Sequence, residues 1–183
     1  YSVLKCNIFD KTYCNAFGYM VNWCLKILSE VKMSNERKMS TVANPAPLGL
    51  LGFGMTTLLL NLHNAGIIPL SVMIVAMGFA LGGAAQIIAG IMEFKNNNVF
   101  GATAFTAYGF FWWSLILIWI NPFENIEAAS AEGMGFYLAI WGVFTLLMFI
   151  GTFKHNRATQ IVFGTLTALF FLLAIADFTG IAL

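Results

Sequence analysis

Asn44-Pro45-Ala46-Pro47-Leu48-Gly49-Leu50-Leu51-Gly52-Phe53-Gly54-Met55-Thr56-Thr57-Leu58-Leu59-Leu60-Asn61-Leu62-His63-Asn64-Ala65-Gly66 is the stretch on which the reading of the chain turns. Asn followed by Pro is a helix-opening signal, because proline's fixed φ suits the first helical position and its missing N–H costs nothing there. The apolar run behind it is about long enough to cross a bilayer, which takes ~20 residues. No charge interrupts it, yet it holds Thr, Asn and the closely spaced Gly49, Gly52 and Gly54. The stretch predicts a membrane helix that packs tightly and touches something polar.

Composition extends that reading to the whole chain. Of 183 residues, 60% are hydrophobic and 9% charged, with a mean hydropathy of +0.82. A soluble domain carries about 25% charged residues, so this chain lacks the polar surface that water requires. The expected class is an all-α polytopic membrane protein. Net charge of +1, with no basic stripe interleaved by aromatics, argues against a nucleic-acid partner. Cys6, Cys14 and Cys24 are odd in number and have no paired histidine at metal-ligand spacing, so they read as unpaired thiols and no metal is expected.

Residues 1–43 form a basic N-terminal tail, and residues 44–183 form the membrane domain. The tail holds six of the nine Lys and Arg residues and no run long enough to span. From Ala16 to Val31 an apolar tendency is broken by Asn22, Lys26 and Glu30, which allows at most a surface-lying amphipathic helix. The chain opens on Tyr1, whereas Met33 and Met39 stand just before the membrane-type sequence, so a natural start at one of these methionines is expected.

From Pro47 onward five spans follow closely, at about Pro47 to Asn64, Pro69 to Glu93, Ala102 to Ile120, Gly135 to Phe153 and Thr159 to Asp177. Each run is far longer than a barrel strand of ~10 residues and lacks alternation. With the N-terminus in the cytoplasm, Lys5, Lys11, Lys26, Lys32, Arg37, Lys38, Lys95, Lys154 and Arg157 all fall on one side. The third connection, 121–134, carries only Glu124, Glu127 and Glu132, which is the positive-inside pattern of a multi-pass protein of the cell membrane. Trp119 suits an interfacial position, and the mid-span tryptophans suit packing. Gly180-Ile181-Ala182-Leu183 reads as the start of a further apolar segment, which makes truncation the expectation.

No catalytic constellation is present, so neither an enzyme nor a cofactor is expected. His63 and His155 have no cysteine near them and read as solvated or capping histidines. The spans hold a sparse set of uncharged polar groups, including Thr56, Thr57, Asn61, Gln86, Thr103, Thr106, Tyr108, Ser114, Thr145, Thr165 and Thr167. A threonine can return its hydroxyl to the preceding turn. The amides of Asn61 and Gln86 have too many donors and acceptors for one carbonyl, so Thr56, Asn61 and Gln86 are substrate-binding candidates. Gln86 and Glu93, seven apart, share a helix face. Gly78 and Gly82 form a small-xxx-small pair that lets helix backbones approach, within one subunit or between subunits.

The 44–64 stretch, with Gly82-Gly83-Ala84-Ala85-Gln86, Gly90-Ile91-Met92-Glu93-Phe94-Lys95, Phe100 to Gly109 and Trp141-Gly142-Val143-Phe144-Thr145, resembles the acetate uptake transporter family, the succinate-acetate permeases. The likeness covers Ala43 to about Ala176 in order. It implies six transmembrane helices around a pore, a homo-oligomer, specifically a hexamer, and passage of acetate and succinate by proton symport or as a channel. Its narrow point, a Phe, a Tyr and a Leu, falls by motif position on Phe53, Tyr108 and Leu166. The chain departs from the pattern in lacking a sixth helix and in carrying the long tail.

The residues accord with a small-carboxylate path. No Lys or Arg lies inside a span, and a permanent cation there would hold an anion too firmly to release it. The helix opening at Asn44 and Pro45 offers backbone N–H groups as an anion stop. A protonated acid avoids most of the charge-burial cost, which gives coupling to protons a motive, with Glu93 or Asp177 as relay candidates. Two other functions fit the composition: a membrane-embedded sensor or interaction protein whose basic tail meets lipid headgroups, and a channel for a small neutral solute such as urea or ammonia.

Overall fold

The computed structural model describes residues 43–123 and 125–180. The tendency toward a surface helix over 16–31, the three cysteines, the start expected at Met33 or Met39 and the apolar segment expected from 181 lie outside the described residues. Five helices follow in order: α1, Ala46–Asn64; α2, Val72–Lys95; α3, Val99–Ile120; α4, Ala131–Lys154, whose last turn Thr152–Lys154 is 3₁₀; and α5, Arg157–Thr179. Each is long and apolar enough to cross a membrane, and the described residues contain no β-strand.

Three helices begin earlier than apolarity alone places them. Their first turns are capped by the side chain just before them: Asn98 Oδ1 accepts from the Gly101 N–H at 3.1 Å, Ser130 Oγ from Gly133 at 3.1 Å, and Asn156 Oδ1 from Thr159 at 2.8 Å. Each cap satisfies an N–H that has no partner within the helix. Conversely α2 starts at Val72 and not at Pro69, with the Ser71 carbonyl accepting its first bonds. Ser130→Ala should lower stability by about 1 kcal/mol; an unchanged thermal unfolding midpoint in detergent would show that this cap carries no weight.

The helices fall into two groups. Backbones approach closely within α1, α2 and α3 and between α4 and α5, and only sparsely between the groups. Glycine makes the first group tight, because a Cβ on Gly52 would lie 2.6 Å from the Leu81 carbonyl oxygen and one on Gly109 would lie 2.9 Å from that of Gly83. The Gly78 and Gly82 pair does something other than bring two backbones together. It opens a notch for the Trp112 indole, which would meet a Gly82 Cβ at 2.6 Å and a Gly78 Cβ at 3.1 Å. Gly54, by contrast, faces open space.

Between Gly78 and Ala85, α2 winds as a π-helix. This wider winding accommodates an additional residue and rotates everything after it by about 100° relative to an uninterrupted helix. The rotated segment begins at Gln86. Across the seam between the two groups the backbones are held apart by rings: Phe111, Tyr108, Phe163 and Phe170 are buried in one apolar cluster with Leu138, Met148 and Leu166.

Candidate functional site

Tyr108 is the hub of the seam. Its hydroxyl donates to Thr145 Oγ1 at 2.9 Å, and Thr145 in turn donates to the Trp141 carbonyl at 2.7 Å, so a ring on α3 is pinned to α4. Around it stand Phe53 at 5.6 Å, Phe144 at 5.7 Å, Phe163 at 6.1 Å and Trp141 at 6.2 Å between ring centres. Sparse backbone contact across the seam leaves space beside this cluster.

That space is a cavity of about 300 Å³. Its walls come from the first turns of α1 (Ala46, Leu50, Phe53), from α2 (Gln86, Glu93), from the start of α3 (Asn98, Phe100, Gly101, Ala104, Phe105, Tyr108) and from the start of α5 with its preceding turn (His155, Asn156, Thr159, Val162, Phe163, Leu166). Because α1, α3 and α5 all begin at one end of the bundle, their successive turns mark depth. Phe53, Tyr108 and Leu166 are the deepest lining positions on their helices, and residues one turn further along do not line the cavity. The three positions drawn from family resemblance are therefore brought together at the inner end of one cavity.

Two polar side chains face it from α2. Glu93 is 2% exposed; its Oε2 accepts from Asn98 Nδ2 at 3.0 Å, and its Oε1 is buried without a partner. Gln86 is 1% exposed and neither of its amide atoms has a partner. Unmade bonds of this kind are costly where they occur; Thr106 Oγ1 and Trp112 Nε1 also lack partners, but of the residues concerned only Gln86 and Glu93 line the cavity and are placed to meet a guest there. No Lys or Arg lines the cavity.

The remaining expected residues lie elsewhere. Thr56 is buried but donates to the Gly52 carbonyl at 2.6 Å and also to that of Phe53, and Asn61 donates to the Thr57 carbonyl at 2.8 Å; neither lines the cavity. Asn44 and Pro45 stand just outside the wall, where Asn44 Oδ1 takes the Ala46 N–H at 3.1 Å. With Pro47 lacking an N–H and that of Gly49 bonded to the Pro45 carbonyl, the first turn of α1 has at most one N–H, that of Leu48, to offer an anion. Asp177 is half-buried at the far end of α5, away from the cavity.

Reasoning from sequence did not single out Asn98, Asn156 and His155 for the mouth, or Phe100, Phe105 and Phe163 for the wall. The two asparagines carry a legible signal, since each stands one residue before a helix. His155 is exposed as expected of a solvated histidine, yet it packs on Phe100 at 4.8 Å and edges the mouth. His63 caps the α1 turn, its Nδ1 lying 3.2 Å from the Ile68 carbonyl oxygen. Among the described residues no group of His, Cys, Asp and Glu is arranged to hold a metal.

Comparison with known proteins adds four likenesses. The model of the GPR1/FUN34/yaaH family matches residues 29–182. The succinate-acetate/proton symporter SatP of Escherichia coli K12 is 56% identical over 140 residues, covering 76% of this chain and 74% of that protein. The solved structure of the bacterial acetate channel SatP superposes with a TM-score of 0.75 at 55% identity, covering 78% of this chain and 79% of the other. More distant is ammonia transport outward protein 2 of Saccharomyces cerevisiae, 39% identical over 146 residues, which are 75% of this chain and 52% of that protein.

Proposed function

The chain belongs to the GPR1/FUN34/yaaH family, and on that premise we propose that it carries small carboxylic acids, acetate foremost and succinate possible, across the cell membrane through the cavity between its two helix groups. The observation that carries this reading is the cavity, free of Lys and Arg, that ends on Phe53, Tyr108 and Leu166. A solute reaching those side chains sheds most of its water against rings and one hydroxyl already engaged by Thr145. A two-carbon acid has little apolar surface to offer in return, so its passage rests on being small and on carrying as little charge as it can. In this reading the chain is a transporter or channel and no step is catalytic.

The distribution of basic residues supports a cytoplasmic N-terminus, which places the mouth, with Glu93, Asn98 and His155, on the cytoplasmic side. Glu93 Oε1 accepts from nothing and borders the path, so it is positioned to take a proton from a passing acid and hand it to water at the mouth. Assembly as a homo-oligomer, a hexamer by the family resemblance, belongs to the same proposal, and its mass in detergent tests it.

Proteoliposomes bearing the full chain should accumulate labelled acetate above empty vesicles, with competition from propionate and succinate. Uptake equal to that of empty vesicles would overturn the proposal. Glu93→Gln should keep the acceptor for Asn98 while slowing uptake driven by a proton gradient by about a hundredfold, the lower end of what one positioned proton-transfer group contributes. Acetate-for-acetate exchange, which moves no net proton, should persist; equal retention of both rates would remove Glu93 from the proton path.

A further inference from the structure

Gln86 is the first residue after the π-helical stretch, packs its Cγ toward Gly52 on α1, and lines the inner part of the cavity with Phe53 and Tyr108. Its amide has less than 1 Å² of either polar atom accessible, and neither atom bonds within the protein. A primary amide presents a donor and an acceptor side by side in one plane. Its complement is a group offering an acceptor and a donor in the same arrangement. A protonated carboxyl does so, its C=O accepting from Nε2 and its O–H donating to Oε1. A carboxylate anion satisfies only half of this edge and sets an acceptor oxygen against Oε1. The surroundings do not compensate that mismatch, for no Lys or Arg lines the cavity, and Glu93 follows on the same helix about 10 Å away.

One other class of small solute has the same edge. A primary amide accepts at its C=O and donates from its N–H, and acetamide matches acetic acid in size and shape while carrying no proton that it can lose near neutrality. We infer that Gln86 reads the neutral, hydrogen-bonding face of the solute, and that the pathway accordingly passes small primary amides, acetamide first, as well as protonated acids. This rests on the carboxylic-acid reading above. Because the amide atoms are shut away, a solute reaches them only as the gate side chains yield.

The test measures labelled acetamide and labelled acetate in the same proteoliposomes of the full chain. Both should enter above empty vesicles, acetamide should compete with acetate, and acetate uptake should fall from mildly acidic to neutral pH while acetamide uptake stays level. Gln86→Leu should slow acetamide by about tenfold or more, the scale of a lost pair of hydrogen bonds. Acetate entry with acetamide neither entering nor competing would overturn the inference about Gln86 and leave the carboxylic-acid reading standing. Entry of neither solute would overturn both. Should Gln86→Leu fail to fold, the competition measured on the unaltered chain decides. A folded Gln86→Leu protein with unchanged acetamide flux would remove Gln86 from the pathway.

Discussion

A valine in place of Gly52 should leave little or no folded protein. A Cβ at this position lies 2.6 Å from the carbonyl oxygen of Leu81, a backbone atom of the π-helical stretch that no rotamer change can move aside. The two helices would have to separate, and separation unseats Gln86, whose Cγ already lies 3.4 Å from the same Cβ position. Overpacking of a dense core costs typically ~1–3 kcal/mol and more where backbone must shift, a large share of the stability of a typical domain. The measure is the yield of monodisperse protein and its thermal unfolding in detergent. Gly54→Val is the internal comparison, since the same change two residues along meets nothing within 4 Å. Equal behaviour of the two variants would contradict the close approach of α1 to α2.

Phe53→Ala should change what passes and not merely how fast. Phe53 stands 5.6 Å from Tyr108 at the inner end of the cavity and is only partly buried, so removing its ring widens the narrow point without emptying the core. Apolar walls discriminate one methylene by about 10–200-fold, so uptake of butyrate relative to acetate should rise by at least about tenfold. Leu166→Ala should act in the same direction from the opposite wall. Unchanged selectivity in both variants would remove these residues from the constriction. Tyr108 is the less informative choice, because its hydroxyl also ties α3 to α4 through Thr145 and its loss would confound packing with passage.

Different parts of the molecule were legible to different degrees. Five spans could be read from apolar runs alone, because a bilayer imposes one length on every crossing segment and tolerates few charges within it. Their boundaries were less so. Asn98, Ser130 and Asn156 begin helices three or four residues, or two in the last case, ahead of the spans read from the sequence, since a capping side chain supports a first turn whatever its hydropathy. Gly78 and Gly82 show the limit of reading by spacing: the interval that brings backbones together in one setting admits an indole in another, and which occurs depends on what the opposing helix presents.

The candidate site divides along the same line. Phe53, Tyr108 and Leu166 were reachable through family resemblance, whereas their meeting at one cavity end depends on three helices that begin at the same face of the bundle. Thr56 could be expected to bond within its own helix and does, whereas Asn61 looked equivalent to Gln86 as an amide in a span, yet Asn61 bonds to its own helix and Gln86 bonds to nothing. A threonine hydroxyl reaches the carbonyl of the preceding turn in any helix, so its satisfaction is local. An amide seated between α1 and α2 is satisfied or not according to its neighbours.

Composition and apolar length thus determined by themselves that this is a polytopic helical membrane protein, for solvation by lipid acts on each segment separately. The tertiary structure alone decided that α2 unwinds into a π-helix, that the two helix groups are held apart by rings, and that Gln86 and Glu93 face the space between them. Those outcomes depend on contacts between residues distant in the chain, and no local pattern encodes which distant partner a side chain will meet.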